Sequence, residues 1–248
     1  LMVLGSFRTT DEIMSSRTLW PEAFTFVNYA HVSARTAFWQ FLTTSFGIAV
    51  VSTALSLVAG LFAGYALSRY KGKWLEGYAT ALFVIQMLPI ILALIPLFLI
   101  FKSLGLINHP LSVIVVYAMI NLPFATWMAR SFFDGIPREL EEAALIDGAS
   151  QFGAFIRIVL PLSGPGIASI AIYSFLHAYN EYFIAAVFLR NEDSMTLPVA
   201  IQLFMQQDSA DWGKLFAAAT MTLVPTLILF LAVQKFMVSG QLAGGVKG

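Results

Sequence analysis

The chain has 248 residues, 58% hydrophobic and 11% charged, with 14 basic against 14 acidic side chains and a mean hydropathy of +0.79. So apolar a composition exceeds what a soluble domain needs for its core, so lipid is the expected solvent, and zero net charge removes the electrostatic case for nucleic acid as a partner. With no cysteine, disulfides, a thiol nucleophile and thiolate metal sites are excluded, and the redox compartment is not readable.

In chain order, residues 1–7, Leu-Met-Val-Leu-Gly-Ser-Phe, read as the last turns of a membrane span whose larger part lies upstream, and 8–37 as an extracytoplasmic loop. A membrane domain is expected over 38–238. It holds five stretches free of Asp, Glu, Lys and Arg, at 41–67, 77–101, 103–129, 158–180 and 215–234, each near or above the roughly 20 residues a helix needs to cross a bilayer. Backbone groups in lipid must be satisfied within each segment, so these runs are helices; the alternating pattern of a membrane barrel is absent. Pro89, Pro96, Pro123, Pro161, Pro165 and Pro225 fall within or beside the spans, where each can bend a helix for alternating access or be tolerated as ordinary span proline. Gly60, Gly64, Ser163, Gly164, Gly166 and Ala168 suit close helix approach.

Basic residues near span ends orient the bundle. Arg69, Lys71 and Lys73, then Arg130, Arg138 and Arg157, then Lys235 and Lys247 mark three inside segments; the opposite loops carry Lys102, Arg190, and the diluted Arg8, Arg17 and Arg35. A cytoplasmic loop at 134–157 and a cytoplasmic tail at 239–248 follow from this orientation.

The segment from Ile136 to Pro161 reads as helix, break, helix. Pro137 suits a first helical position, Glu139, Glu141 and Glu142 suit the positive end, and Gly148 suits the stop. Ala143 and Ala144 give a low-relief face, flanked by Leu140 and Leu145 as anchors, against which another protein can dock while the carboxylates pair across a rim.

Here the sequence resembles the membrane subunits of ATP-binding-cassette importers, whose signature is Glu-Ala-Ala, three residues, Gly, nine residues, Ile, one residue, Leu-Pro. Glu142, Ala143, Ala144, Gly148, Ile158, Leu160 and Pro161 supply every element. The resemblance is nearest to the carbohydrate and glycerol-phosphate subunits similar to the maltose permease, through Leu140 to Ala149, Leu160-Pro-Leu-Ser-Gly-Pro-Gly166, Asn180-Glu-Tyr182 and the closing Gly244-Gly-Val-Lys-Gly248. Tyr179 stands where family members usually carry tryptophan. The resemblance implies an all-α, polytopic transmembrane helical bundle of the type I importer permease fold, with six spans of which the first is largely missing. It implies an ATPase-coupling interface at Glu141, Glu142, Ala143, Ala144, Asp147, Gly148, Ile158, Leu160 and Pro161. The partners it implies are two ATPase subunits, a second homologous permease, an extracytoplasmic solute-binding protein and the lipid bilayer. It implies a multi-pass place in the cell membrane of a bacterium or archaeon. The chain has no Gly-x-x-x-x-Gly-Lys-Ser/Thr loop, so no cofactor is expected in it, ATP and Mg being held by the partner ATPases.

Candidate solute-path residues are Tyr173, His177, Asn180 and Glu181, with His177 and Glu181 spaced to share one helical face, and Asn121 beside Pro123. The same cluster can instead lock its helix to a partner. Trp39, Trp74 and Trp212 fall near span ends and read as an interfacial belt. The loop at 191–212, with Asn191-Glu-Asp193 and Asp208, is a candidate contact for an external solute-binding protein. The alternative is a self-contained secondary transporter or channel, for which only Glu181 offers an intramembrane charge. An enzyme is the remaining class, and His31, His109 and His177 form neither a metal motif nor a nucleophile constellation.

Overall fold

The computed structural model describes residues 1–15, 18–35, 37–207 and 211–244, so Arg17, Asp208 and Lys247 lie outside the described residues. Among the described residues every regular element is helical: α1 (Met2–Gly5), α2 (Thr10–Ser15), α3 (Val27–Arg35), α4 (Phe38–Arg69), α5 (Lys73–Met87), α6 (Ile90–Ser103), α7 (Pro110–Asp134), α8 (Arg138–Ile146), α9 (Gln151–Leu162), α10 (Gly164–Tyr179), α11 (Phe183–Phe188), α12 (Leu197–Gln207) and α13 (Trp212–Gly244). By length and composition α4, α7 and the Trp212–Ala232 part of α13 can each cross a membrane. The pairs α5/α6 and α9/α10 bring the number to five if each is one broken span.

The spans differ from the apolar runs at their breaks. The 77–101 run is two helices, because Leu88, preceding Pro89, is held in an extended conformation (φ −81, ψ 126). The 103–129 run starts late, at Pro110, after left-handed Gly105 (φ +69) and Asn108 (φ +64). The 158–180 run bends by 77° at Ser163, where Pro161 and Pro165 each remove an N–H and the preceding turn has widened to a π-helix over Phe155–Val159. Pro96, Pro123 and Pro225 remain inside α6, α7 and α13. The expected loop at 8–37 contains α2 and α3, and α13 runs through the expected tail boundary at 239.

The chain forms two compact units. The first comprises Leu1–Ile48, Leu94–Val113 and Tyr179–Ile228; the second comprises Ala49–Ala93, Ile114–Ala178 and the residues from Leu229. In the first, Val32, Phe38, Phe41, Leu197, Ala200 and Ala217 form a core. Arg8 is buried there, bonded to Glu12 (2.9 Å) and to the carbonyls of Thr18 and Glu12, so a loop cation counted toward orientation is internally paired. In the second, Tyr65, Ala125, Ala129, Phe133, Phe155, Val159 and Ile170 form the core. A Cβ on Gly60 would stand 2.6 Å from Ala125 Cβ, and one on Gly64 would stand 2.7 Å from Ala129 Cβ. Two small-xxx-small pairs thus set the close packing of α4 on α7.

Candidate functional site: a presented helix and an aromatic cleft

Two features of the second unit carry chemistry. The first is α8. Its carboxyl end is a complete Schellman turn: Ala149 N donates to Ala144 O (2.9 Å) and Gly148 N to Leu145 O (3.0 Å). Gly148 sits at φ +87, a conformation that costs a residue with a Cβ about 1–2 kcal/mol. Ser150 then accepts from Gly153 N at 3.1 Å and starts α9.

The helix has two dissimilar faces. Glu139, Glu142, Ala143 and Ile146 follow the i, i+3, i+4, i+7 rule and are exposed, Ile146 at 87%. An apolar side chain so open at the tip of a helix is a feature that a partner surface would cover. Leu140 and Leu145, the expected anchors, are 44% and 43% exposed. Ala144, Asp147, Gly148 and Ile158 line a hollow of about 280 Å³.

Two expected interface residues face inward instead. Glu141 is 7% exposed and accepts from Tyr65 Oη and Arg69 Nε, both at 2.6 Å. Leu160 packs against the core of the second unit. Pro161 stays exposed on α9, at the approach to the bend. The sequence offers three glutamates in one helical turn and nothing nearby to tell them apart; the partner that claims Glu141 lies 72 positions earlier.

The second feature is a cleft of about 490 Å³, within the usual range for small-molecule sites. Its lining includes Gln86, Asn121, Phe124, Tyr173 and His177. Tyr173 stacks on Phe124 (ring centroids 3.8 Å) and lies nearly parallel to the His177 ring (6.0 Å, 10°), so the three rings form a stacked column along one wall of the cleft. Asn121 is buried and donates to Ser174 O at 3.3 Å; it both fixes α10 on α7 and lines the cleft. Three of the five expected path residues therefore meet here. Gln86 was not anticipated, although an amide inside an otherwise apolar run, three residues before Pro89, is a readable signal.

Asn180 and Glu181 are not among the residues that line the cleft. α10 ends at Tyr179, so His177 and Glu181 do not share a helical face. The Glu181 carboxylate instead accepts from Ile184 N (3.0 Å) and Ala185 N (3.3 Å), satisfying the first turn of α11. Tyr179 is buried and its hydroxyl donates to Thr222 O at 3.2 Å.

The sequence pattern of the binding-protein-dependent transport system inner membrane components matches residues 56–237. The chain is 36% identical to a sulfoquinovosyl glycerol transport system permease protein of Agrobacterium fabrum over 100% of this chain and 87% of that protein. It is 33% identical to an arabinooligosaccharides transport system permease protein of Halalkalibacterium halodurans, over 100% and 89%. Among solved structures, a bacterial ABC transporter involved in the import of the acidic polysaccharide alginate superposes with a TM-score of 0.79 at 23% identity, over 94% of this chain and 88% of that one.

Proposed function

The chain belongs to the family of binding-protein-dependent transport system inner membrane components and is a permease subunit of an ATP-binding-cassette importer, a transport component and not an enzyme, and on that premise we propose that it passes a carbohydrate, driven through α8 by separate ATPases. The observation that carries this reading is the exposed Glu139, Glu142, Ala143 and Ile146 face of α8, ended by the left-handed Gly148. Such a face needs a groove, and a groove in an ATPase subunit meets the apolar tip with apolar walls and the carboxylates with cations. The assembly comprises two ATPases that hold ATP and Mg, a second homologous permease and an external solute-binding protein. The 134–157 loop and the end of α13 face the cytoplasm. Asn191, Glu192 and Asp193, exposed in the connection to α12, face the solute-binding protein.

A carbohydrate suits the cleft. The C–H groups of a sugar ring pack against the Phe124, Tyr173 and His177 stack, and the amides of Gln86 and Asn121 have the donors and acceptors that hydroxyls need. The relatives named for sulfoquinovosyl glycerol and arabinooligosaccharides support the same cargo class. A self-contained secondary transporter would use Glu181 for ion coupling, and that carboxylate is engaged at the start of α11.

Reconstitution tests the proposal. Uptake of a labelled oligosaccharide into proteoliposomes is expected only with the ATPases, the second permease, the binding protein and ATP all present; uptake by this polypeptide alone would overturn it.

A further inference from the structure

Beneath the presented helix lies a buried ionic cluster that neither the signature motif nor the cleft explains. Tyr65 and Arg69, four residues apart on the last turns of α4, converge on the two oxygens of Glu141: Tyr65 Oη reaches Oε2 and Arg69 Nε reaches Oε1, each at 2.6 Å. The Arg69 and Glu141 side chains are only 7% and 9% exposed. Arg69 spends its other donors on Ser68 Oγ (2.8 Å) and Ile136 O (3.3 Å). Arg138, at the start of α8, donates to Ser68 O at 2.8 Å, and Ser68 Oγ in turn reaches Asp134 at the end of α7. The end of α4, the turn after α7 and the first turn of α8 are thereby tied together by charge-assisted hydrogen bonds.

An ion pair is a poor way to gain stability in a buried place, because desolvation offsets the attraction and apolar side chains of the same volume serve as well. What it does supply is orientation. A carboxylate held on both oxygens by a phenol and a guanidinium fixes α8 against rotation, and that rotation decides whether Glu139, Glu142, Ala143 and Ile146 point outward.

The geometry points to Tyr65, Arg69 and Glu141 as a latch that makes α8 and α4 move as one body, so that displacement of α8 by the motor is delivered to α4. The inference rests on α8 being the coupling element. All three are positioning residues, since none belongs to the presented face or the cleft.

The test uses the complete importer in proteoliposomes and reads solute delivered per ATP hydrolysed, in complexes shown by co-purification to be fully assembled. Glu141→Gln is expected to lower that ratio about tenfold, within the range typical of coupling between distant sites, while hydrolysis continues. Arg69→Lys, which keeps the charge and loses the fork, should fall between the variant and the wild type. Tyr65→Phe, which deletes one hydrogen bond and keeps the ring, should lower the ratio by a smaller factor and decides the matter if Glu141→Gln does not assemble. A merely structural role would reduce the yield of complex and leave the ratio in assembled complexes unchanged, and that result overturns the latch. Ile146→Asp separates the two layers. Normal transport in that variant removes the coupling reading itself; lost ATPase binding there, with an unchanged ratio in Glu141→Gln and Tyr65→Phe, removes the latch alone.

Discussion

Single side chains in this permease divide sharply between those that serve the fold and those left free to serve transport. Tyr173 is 46% exposed and central to the aromatic wall, so Tyr173→Ala is expected to leave the melting temperature of the solubilised complex nearly unchanged while lowering oligosaccharide uptake at least severalfold. Equal uptake at limiting solute would remove the cleft from the path. Gly148→Val places a branched side chain at φ +87; the strain of about 1–2 kcal/mol falls on the Schellman turn, so membrane insertion should persist and ATPase co-purification should drop. Asp211 gives a pH signature. Burial pushes its carboxyl up, but hydrogen bonds from the Lys214 side chain, Thr10 Oγ1 (2.7 Å) and Lys214 N, with the Lys214 charge, hold it below the ordinary 3.8. A depressed carboxylate stabilises the fold fully above its unfolded value and loses that contribution as pH falls through the folded one. Acid titration of the melting temperature should therefore show a loss below 3.8 that Asp211→Asn lacks. Of the cleft, Asn121, Tyr173 and His177 were legible as polar or aromatic residues in apolar runs. The expected shared face of His177 and Glu181 fails for a local reason: the helix ends at Tyr179, just before Asn180, a residue type that favours helix stops, and the Glu181 carboxylate caps the next helix.

Helices here are legible as apolar runs, but their breaks depend on context that a run does not contain. Pro96, Pro123 and Pro225 leave their helices continuous, whereas Pro89 separates α5 from α6. Pro161 and Pro165 together accompany a bend of 77°. At the three inner prolines the missing N–H is absorbed by neighbouring turns; Pro89 breaks the helix because the preceding Leu88 is extended, and the second bend combines two prolines within five residues beside Gly164 and Gly166. The contact between α4 and α7 was legible as small residues at spacing four, without their partners. Gly60→Ala would set its Cβ against Ala125, overpacking a contact that has no slack; such insertions cost roughly 1–3 kcal/mol. The variant should melt earlier in detergent, and adding Ala125→Gly should restore part of the loss. No recovery in the double variant would mean that another contact sets the spacing.

For the whole molecule, composition alone placed the chain in lipid, and three long helices with two broken pairs agree with the five apolar runs. Only 11% of the most apolar 18-residue stretch within Trp212–Ala232 is buried by this chain, as expected of a helix that faces lipid. What the sequence could not separate was the duty of charges that look alike. Glu141 is enclosed within the subunit, whereas Glu139 and Glu142 are open to water on the face proposed to meet the motor. Mobile ions tell these two kinds of carboxylate apart. At about 1 M salt the screening length shrinks to about 3 Å, so open carboxylates lose their pull on an approaching cation while an enclosed pair feels little change. Concentrated electrolyte should therefore strip the ATPases from the membrane yet leave the stripped permease with its docking helix still correctly aimed, ready to recapture them on dilution; sedimentation of vesicles across a salt series, followed by dialysis, would register both halves of that cycle.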